Sequence, residues 1–277
     1  NVAGQVYKGP LQILSVSSCS WYFLYLYLYF LYLQQKELQI KYDWVGFKKY
    51  KRVINDQEYQ DAAKFTFIYV IVSVVIEIIL GLFLAFLFNR RIYGRGFMRS
   101  LMILPIFATP FAIGFMFFTI LFEISGPLAW MGIPFLSNHN WAPFSVMLVD
   151  IWQWTPFCFL VFLAALQGIP DDLIEAATLD TKSAYKIWTS VILPLLQPII
   201  VLVILLRVAE SAKLYDYIAS LTKGGPGTAT QSVSFLVFNK AFKMNDFGYA
   251  SAGSFLMLIV VMVFVMLFFT RLRKTYE

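Results

Sequence analysis

Long apolar runs alternate with short polar segments along the chain, and the runs cover residues 11–33, 65–88, 101–122, 143–166, 191–217 and 249–270. Each is long enough for a helix to cross a hydrocarbon core about 30 Å thick. In the first run Tyr25, Tyr27 and Tyr29 alternate with apolar residues, a strand pattern in a soluble protein. A lone strand leaves its backbone unsatisfied in lipid, so a helix is expected there too. Pro105 and Pro110 are expected to break the third run. The pattern predicts an all-α membrane protein with six transmembrane helices, organised as a single domain over 1–277.

One polar segment, 169–190, has its own helical pattern. Pro170 suits a first helical turn, and Asp171 and Asp172 put negative charge at the helix's positive end. Leu173, Ala176, Ala177 and Asp180 then fall at i, i+3, i+4 and i+7, a shallow face that a partner's backbone can approach, with Glu175 beside Leu179 elsewhere. The chain can turn after Thr181. A second short helix is expected over Ser183 to Ser190, with Tyr185 and Trp188 on one side, before Leu193-Pro194 opens the next run.

Composition sharpens the class. Apolar residues make up 60% and charged residues 14%, against about 25% charged in a soluble domain, and the mean hydropathy is +0.70. The net charge of +6 comes from short loops beside apolar runs, with no basic groove and no aromatic platform, so nucleic acid is not an expected partner. Cys19 and Cys158 lie in apolar runs without a C-x-x-C partner, and the single histidine, His139, has no second ligand nearby. Neither a disulfide framework nor a metal site is expected. The glycine-rich TKGGPG at 222–227 lacks the Gly-Lys-Ser/Thr of a phosphate-binding loop, so this chain is not expected to bind ATP by that motif. His-Glu-x-x-His and Gly-x-Ser-x-Gly are both absent from the sequence, which argues against a membrane-embedded enzyme.

Charged residues within the runs are the candidates for function. Glu77 sits near the middle of the second run, where a carboxyl costs roughly 2.5 to 3.5 kcal/mol unless it pairs or faces protein. It reads either as a substrate or proton site or as an interhelical hydrogen bond. Arg207, Glu210, Lys213 and Asp216 recur at spacing three, either a path lining or a salt-bridge ladder at the membrane boundary. Trp152 and Trp154 lie two apart and point to different helix faces. Together with Tyr215, the residues Trp152, Trp154, Glu210, Lys213 and Asp216 form the candidate substrate path. An ion-coupled secondary transporter using Glu77 and Glu210 is the alternative, although no inverted repeat accompanies them.

Orientation follows from the short turns. Residues 89–100, NRRIYGRGFMRS, carry four arginines and no acid, which marks that side as the inner one. An even number of crossings puts the 169–190 loop and the basic end at Arg271, Arg273 and Lys274 on the same side. A raw Lys+Arg count is balanced because of the mixed-charge 34–64 segment, so the acid-free turn decides. The polar start at Asn1 does not read as a cleavable signal peptide, and the chain is expected either to lack its true start or to have been processed.

Several segments carry a resemblance. Glu175, Ala176, Ala177, Asp180, Leu193, Pro194 and Pro198 match EAAxxDGAxxxxxFxxIxLPxxxP, with Trp188 at an aromatic position and Thr181 where glycine is usual. WVGFKKYKRVIND, NRRIYGRGFMRS, DIWQWTPF and LTKGGPGTAT with NKAFKMNDFGYASAGS add further matches from about Trp44 to Arg271. The chain resembles the permeases of binding-protein-dependent ABC transporters, of the sugar type. The resemblance implies a type I importer fold in a bacterial plasma (inner) membrane, with both termini cytoplasmic. It implies a second homologous permease, an extracytoplasmic solute-binding protein, a carbohydrate substrate, and two ATPase subunits that bind ATP and Mg. It also makes 169–190 a coupling loop, with Glu175, Ala176, Ala177, Leu179, Asp180 and Thr181 facing an ATPase. The permease itself is expected to perform no bond chemistry.

Overall fold

The computed structural model describes residues 47–89, 94–181 and 183–276. The expected first run, 11–33, and residues 90–93 of the Arg-rich turn lie outside the described residues. Everything regular among the described residues is helical.

A short helix α1 (Lys48–Ile54) leads into α2 (Gln57–Asn89), which is 33 residues long. At 1.5 Å per residue α2 is about 50 Å long, so it stands beyond a bilayer core. Helices α3 (Arg95–Phe107) and α4 (Pro110–Leu121) follow, with a 100° bend between them. The expected break at Pro105 does not occur, because that residue lies within α3; the break falls only before Pro110. Thr109 caps α4 by accepting a hydrogen bond from the Ala112 N–H, and Pro110 occupies a position where a missing N–H costs nothing.

Helix α5 (Trp141–Gln167) crosses next, followed by the short α6 (Asp171–Asp180). Then α7 (Ala184–Ile187), a π turn (Trp188–Ile192) and α8 (Leu193–Ser211) run on as one rod. The expected short helix at 183–190 is therefore the first part of the next span. Trp188 packs edge-on against Phe86 at 5.1 Å, while Tyr185 is exposed, so the two do not act as one face. Two pieces, a π turn (Ile218–Thr222) and α9 (Val233–Phe238) with its own π turn (Asn239–Lys243), lead to α10 (Phe247–Tyr276). Among the described residues four helices are long and apolar enough to cross a membrane, and the bent α3–α4 pair makes a fifth candidate.

Three apolar clusters stack along α2. Val53, Tyr59, Leu236 and Tyr249 pack near its start, Tyr69, Val146, Val208 and Ile218 around its middle, and Ala85, Phe159, Phe162 and Leu196 near its end. The order in which each helix visits these clusters gives its direction. Helices α2 and α5 both run from the middle cluster to the last one, and α8 runs the opposite way. Helix α10 starts in the first cluster and passes the middle one at Met257 and Val261, parallel to α2. The 169–192 segment and the far end of α10 thus lie at one end of the bundle, as alternation required. Close approach of α2 and α5 depends on Gly81, where a Cβ would come within 2.6 Å of the Cys158 Cβ.

Candidate functional site

Arg207 on α8 is 1% exposed and reaches across the bundle. Its Nε donates to Glu77 Oε2 at 2.6 Å and its Nη2 to Glu77 Oε1 at 2.8 Å, a bidentate pair with α2. The same Nη2 lies 3.3 Å from Asp150 Oδ1 on α5 and 3.0 Å from Ser211 Oγ. The guanidinium also sits 4.6 Å from the Trp154 ring centroid. Three membrane helices are thereby joined through one side chain.

A second chain of hydrogen bonds joins this cluster to the α3–α4 bend. The Trp154 Nε1–H donates to Tyr217 Oη at 3.1 Å, and the Tyr217 hydroxyl donates to Gln153 Oε1 at 2.7 Å. The Gln153 amide then donates to the Ala108 carbonyl at 2.9 Å. That carbonyl belongs to the break before Pro110, where helical partners are lost. A buried side chain on α5 supplies the bond that the helix does not.

Beside the cluster is a pocket of about 210 Å³, bordered by Tyr69 on α2, Pro110 at the bend, Asp150 and Trp154 on α5, Arg207 and Glu210 on α8, and the segment after α8. Lys213, Tyr215, Asp216 and Tyr217 come from that last segment. Lys213 Nζ is 2.8 Å from Glu210 Oε1, and both side chains are exposed. The pocket stands at the level of the middle apolar cluster, which Tyr69, Tyr217 and Tyr215 share. Its lining offers aromatic faces, hydroxyls and paired charges, and no cluster suited to a metal occurs among the described residues.

Helix α6 is the other candidate surface. Glu175 and Ala176 are exposed, Ala177 is half-buried, Leu173 is 45% exposed and Leu179 is 90% exposed. Thr181 ends the helix in an extended conformation, φ −152° and ψ 138°. An L-residue adopts that backbone freely, so a threonine serves in a position where glycine is usual.

Residues 77–277 match the family model described as binding-protein-dependent transport system inner membrane component. The chain belongs to that family. Among the relatives of this permease is the trehalose/maltose transport system permease protein MalF of Thermococcus litoralis, 36% identical over 233 residues, covering 81% of this chain and 78% of the relative. The trehalose transport system permease protein SugA of Mycobacterium tuberculosis is 32% identical over 241 residues, covering 81% and 75%. The fold is shared with a bacterial ABC transporter involved in the import of the acidic polysaccharide alginate, at TM-score 0.79 and 22% identity, with 94% of each chain covered.

In this permease the expected path residues divide. Trp154, Glu210, Lys213, Tyr215 and Asp216 all border the pocket. Trp152 does not: it is 43% exposed on the opposite side of α5 and packs edge-on against Phe117 at 5.2 Å. The expected charge stripe is also corrected. Helix α8 ends at Ser211 rather than continuing to 217, so Asp216 lies beyond the helix and Arg207 turns inward to Glu77 and Asp150. Tertiary hydroxyls make that ending possible, because Ser234 Oγ and Ser232 Oγ donate to the Ala212 and Leu214 carbonyls. Glu77 takes its interhelical reading, as the partner of an arginine 130 residues away.

Sequence reasoning missed Asp150, Gln153, Tyr217, Tyr69 and Ser211 as members of the site. Asp150 and Gln153 had a signal, since both are polar residues inside an apolar run and three apart on one face of α5. Tyr69 and Tyr217 had none, because tyrosines are common throughout this chain.

Proposed function

We propose that the chain is one membrane-spanning subunit of an ATP-driven importer of carbohydrate, whether a free sugar, an oligosaccharide or a sugar derivative. The observation that carries the reading is the aromatic and polar pocket at mid-bundle in a member of a binding-protein-dependent transport family. Relatives whose names specify trehalose and maltose support the substrate class. In this reading a second homologous permease completes the path, a solute-binding protein delivers substrate from outside, and two ATPase subunits hold ATP and Mg. The permease performs no bond chemistry itself.

Helix α6 is the ATPase-facing element. Its exposed Leu179, Leu173 and Ala176 offer apolar surface at one end of the bundle, and Glu175 supplies charge. Asp180 and Thr181 close the docking segment. That end is cytoplasmic in this reading, with the end of α10 beside it and the chain's N-terminus on the same side, in a plasma membrane. Closure of the ATPase pair is carried into α5 and α8 as a rigid rotation.

An ion-coupled carrier using Glu77 and Glu210 is the weaker reading. Glu77 is held bidentate by Arg207, and Glu210 is paired with Lys213. The test is purification of the chain from its native membrane, identification of the co-purifying subunits, and an ATPase assay with trehalose, maltose and any binding protein recovered. Recovery of an ATPase whose hydrolysis rises with a sugar supports the import reading. Recovery of the chain alone, with gradient-driven uptake in liposomes, overturns it.

A further inference from the structure

Transporters of this fold or family differ in the charge of what they carry: the names above include an uncharged disaccharide system and an acidic polysaccharide system. Charge on the pocket wall is therefore the feature to read. Arg207 is already engaged by Glu77 and Asp150, and Lys213 by Glu210. Asp216 borders the same pocket, is exposed, and has no ion-pair partner among the described residues.

We propose that this pocket accepts uncharged sugars and rejects anionic ones, with Asp216 as the residue that sets the discrimination. The proposal rests on the carbohydrate-import reading and deepens it. Three carboxylates on the pocket wall, Asp150, Glu210 and Asp216, stand against two cations, Arg207 and Lys213, and Arg207 is further neutralised from behind by Glu77. A phosphate or uronate entering the pocket finds no free cation to pair with. To recruit Arg207 it would have to displace a bidentate carboxylate, leaving that acid buried and uncompensated. To recruit Lys213 it would come near Asp216, a like charge.

An uncharged sugar meets neither obstacle. Its hydroxyls can donate to the carboxylate oxygens of Asp216 and Asp150 and accept from the Lys213 ammonium. Its C–H faces can lie against Trp154 or Tyr215, whose rings carry negative faces. Trp154 is fixed for this purpose by its bond to Tyr217 and by the guanidinium on its ring.

The test uses the complete complex purified with its partner subunits and without its binding protein, so that selection by the latter does not enter. Calorimetric titration compares trehalose and maltose with glycerol 3-phosphate and an alginate oligosaccharide. Trehalose or maltose is expected to bind at least about tenfold more tightly than either anion. Asp216→Asn narrows that ratio, and Asp216→Lys narrows it further or reverses it. The asparagine variant keeps the side chain's shape, so a fold defect in the lysine variant does not remove the test. Equal binding of neutral and anionic probes by the wild-type complex overturns the proposal, as does an unchanged ratio in both variants. In those cases sugar-stimulated ATP hydrolysis with the binding protein present leaves the import reading standing. Absence of any sugar-stimulated hydrolysis removes the import reading, and this proposal with it.

Discussion

Arg207 holds its position through partners contributed by two other helices, so its removal leaves more than a gap. Arg207→Met strands Glu77 and Asp150 as close, buried carboxylates, and breaking a buried pair in this way costs about 3–5 kcal/mol. Thermal unfolding of the purified complex is expected to show that loss. Adding Glu77→Gln and Asp150→Asn to the same chain should restore much of it, and no restoration would mean that the arginine acts by packing alone. The two tryptophans give a second residue-scale contrast. Trp154→Phe loses the bond to Tyr217 and weakens the ring's hold on Arg207, whereas Trp152→Phe keeps an aromatic contact with Phe117. Sugar-stimulated hydrolysis should fall several-fold in the first variant and stay near wild type in the second. Equal effects would break the assignment of Trp154 to the pocket.

Elements act through what they present. Helix α6 packs lightly and exposes Leu179 and Glu175, so its substitutions should alter docking and spare the spans. Glu175→Lys, or Ala177→Trp, is expected to leave the complex's melting temperature within a few degrees while transport per ATP falls by about tenfold or more. Normal transport in both variants would exclude α6 as the docking face. The 122–140 loop at the other end of the bundle depends on one carboxylate. Burial pushes the Glu123 carboxyl up slightly, but hydrogen bonds from the Ser137 hydroxyl and the Ser137 and Leu136 N–H groups outweigh it and hold it below the usual range. A depressed folded value means that the contribution is present above the usual carboxylate range, and is lost as pH falls through the folded value. The Leu136 and Ser137 amides should therefore stay protected at neutral pH and lose protection only as pH falls below the ordinary carboxylate range. Glu123→Gln should remove that dependence.

At the scale of the whole molecule the direction of each helix fixes which segments share an end. Leu179→Cys and Ile124→Cys, both at highly exposed positions, are expected to react with a membrane-impermeant thiol reagent from opposite sides of sealed vesicles. The Leu179 variant should label from the inner side. Labelling of both from one side would overturn the directions read from the apolar clusters. The end of the bundle opposite α6 is also where α1 and the start of α10 are tied together. Lys49 and Arg52 meet Asp246 at 3.3 and 3.1 Å, and the Tyr249 hydroxyl donates to Asp56 at 2.6 Å. These are contacts between residues nearly 200 positions apart, invisible to any local pattern.

Much of the architecture was nonetheless legible, because lipid imposes a simple rule on sequence. A span must be long, apolar and helical, so the runs at 65–88, 143–166 and 249–270 fall inside α2, α5 and α10. Pro170 and the two aspartates after it set the start of α6 for an equally local reason. The same rule said that Glu77 needed a partner, since an isolated carboxylate in lipid is costly, but nothing local said which one. Where a pattern continued without Gly or Pro, local reading extended it. It carried α8 to residue 217, and Arg207, Glu210, Lys213 and Asp216 onto a single stripe.

Sequence by itself thus determined that this is a helical membrane protein, where most of its spans lie, and which family it resembles. Periodicity, length and hydropathy are properties of a segment, and the bilayer reads them segment by segment. Only the tertiary structure decided that α8 stops at Ser211, that Arg207 faces Glu77 and Asp150, and that Trp154 rather than Trp152 enters the pocket. Each depends on hydrogen-bond partners from distant parts of the chain: Ser232 and Ser234 at the helix end, Gln153 at the bend, and two carboxylates on separate helices around one guanidinium. In a medium without water a polar group must be satisfied by protein, and which protein group satisfies it is settled only when the helices pack.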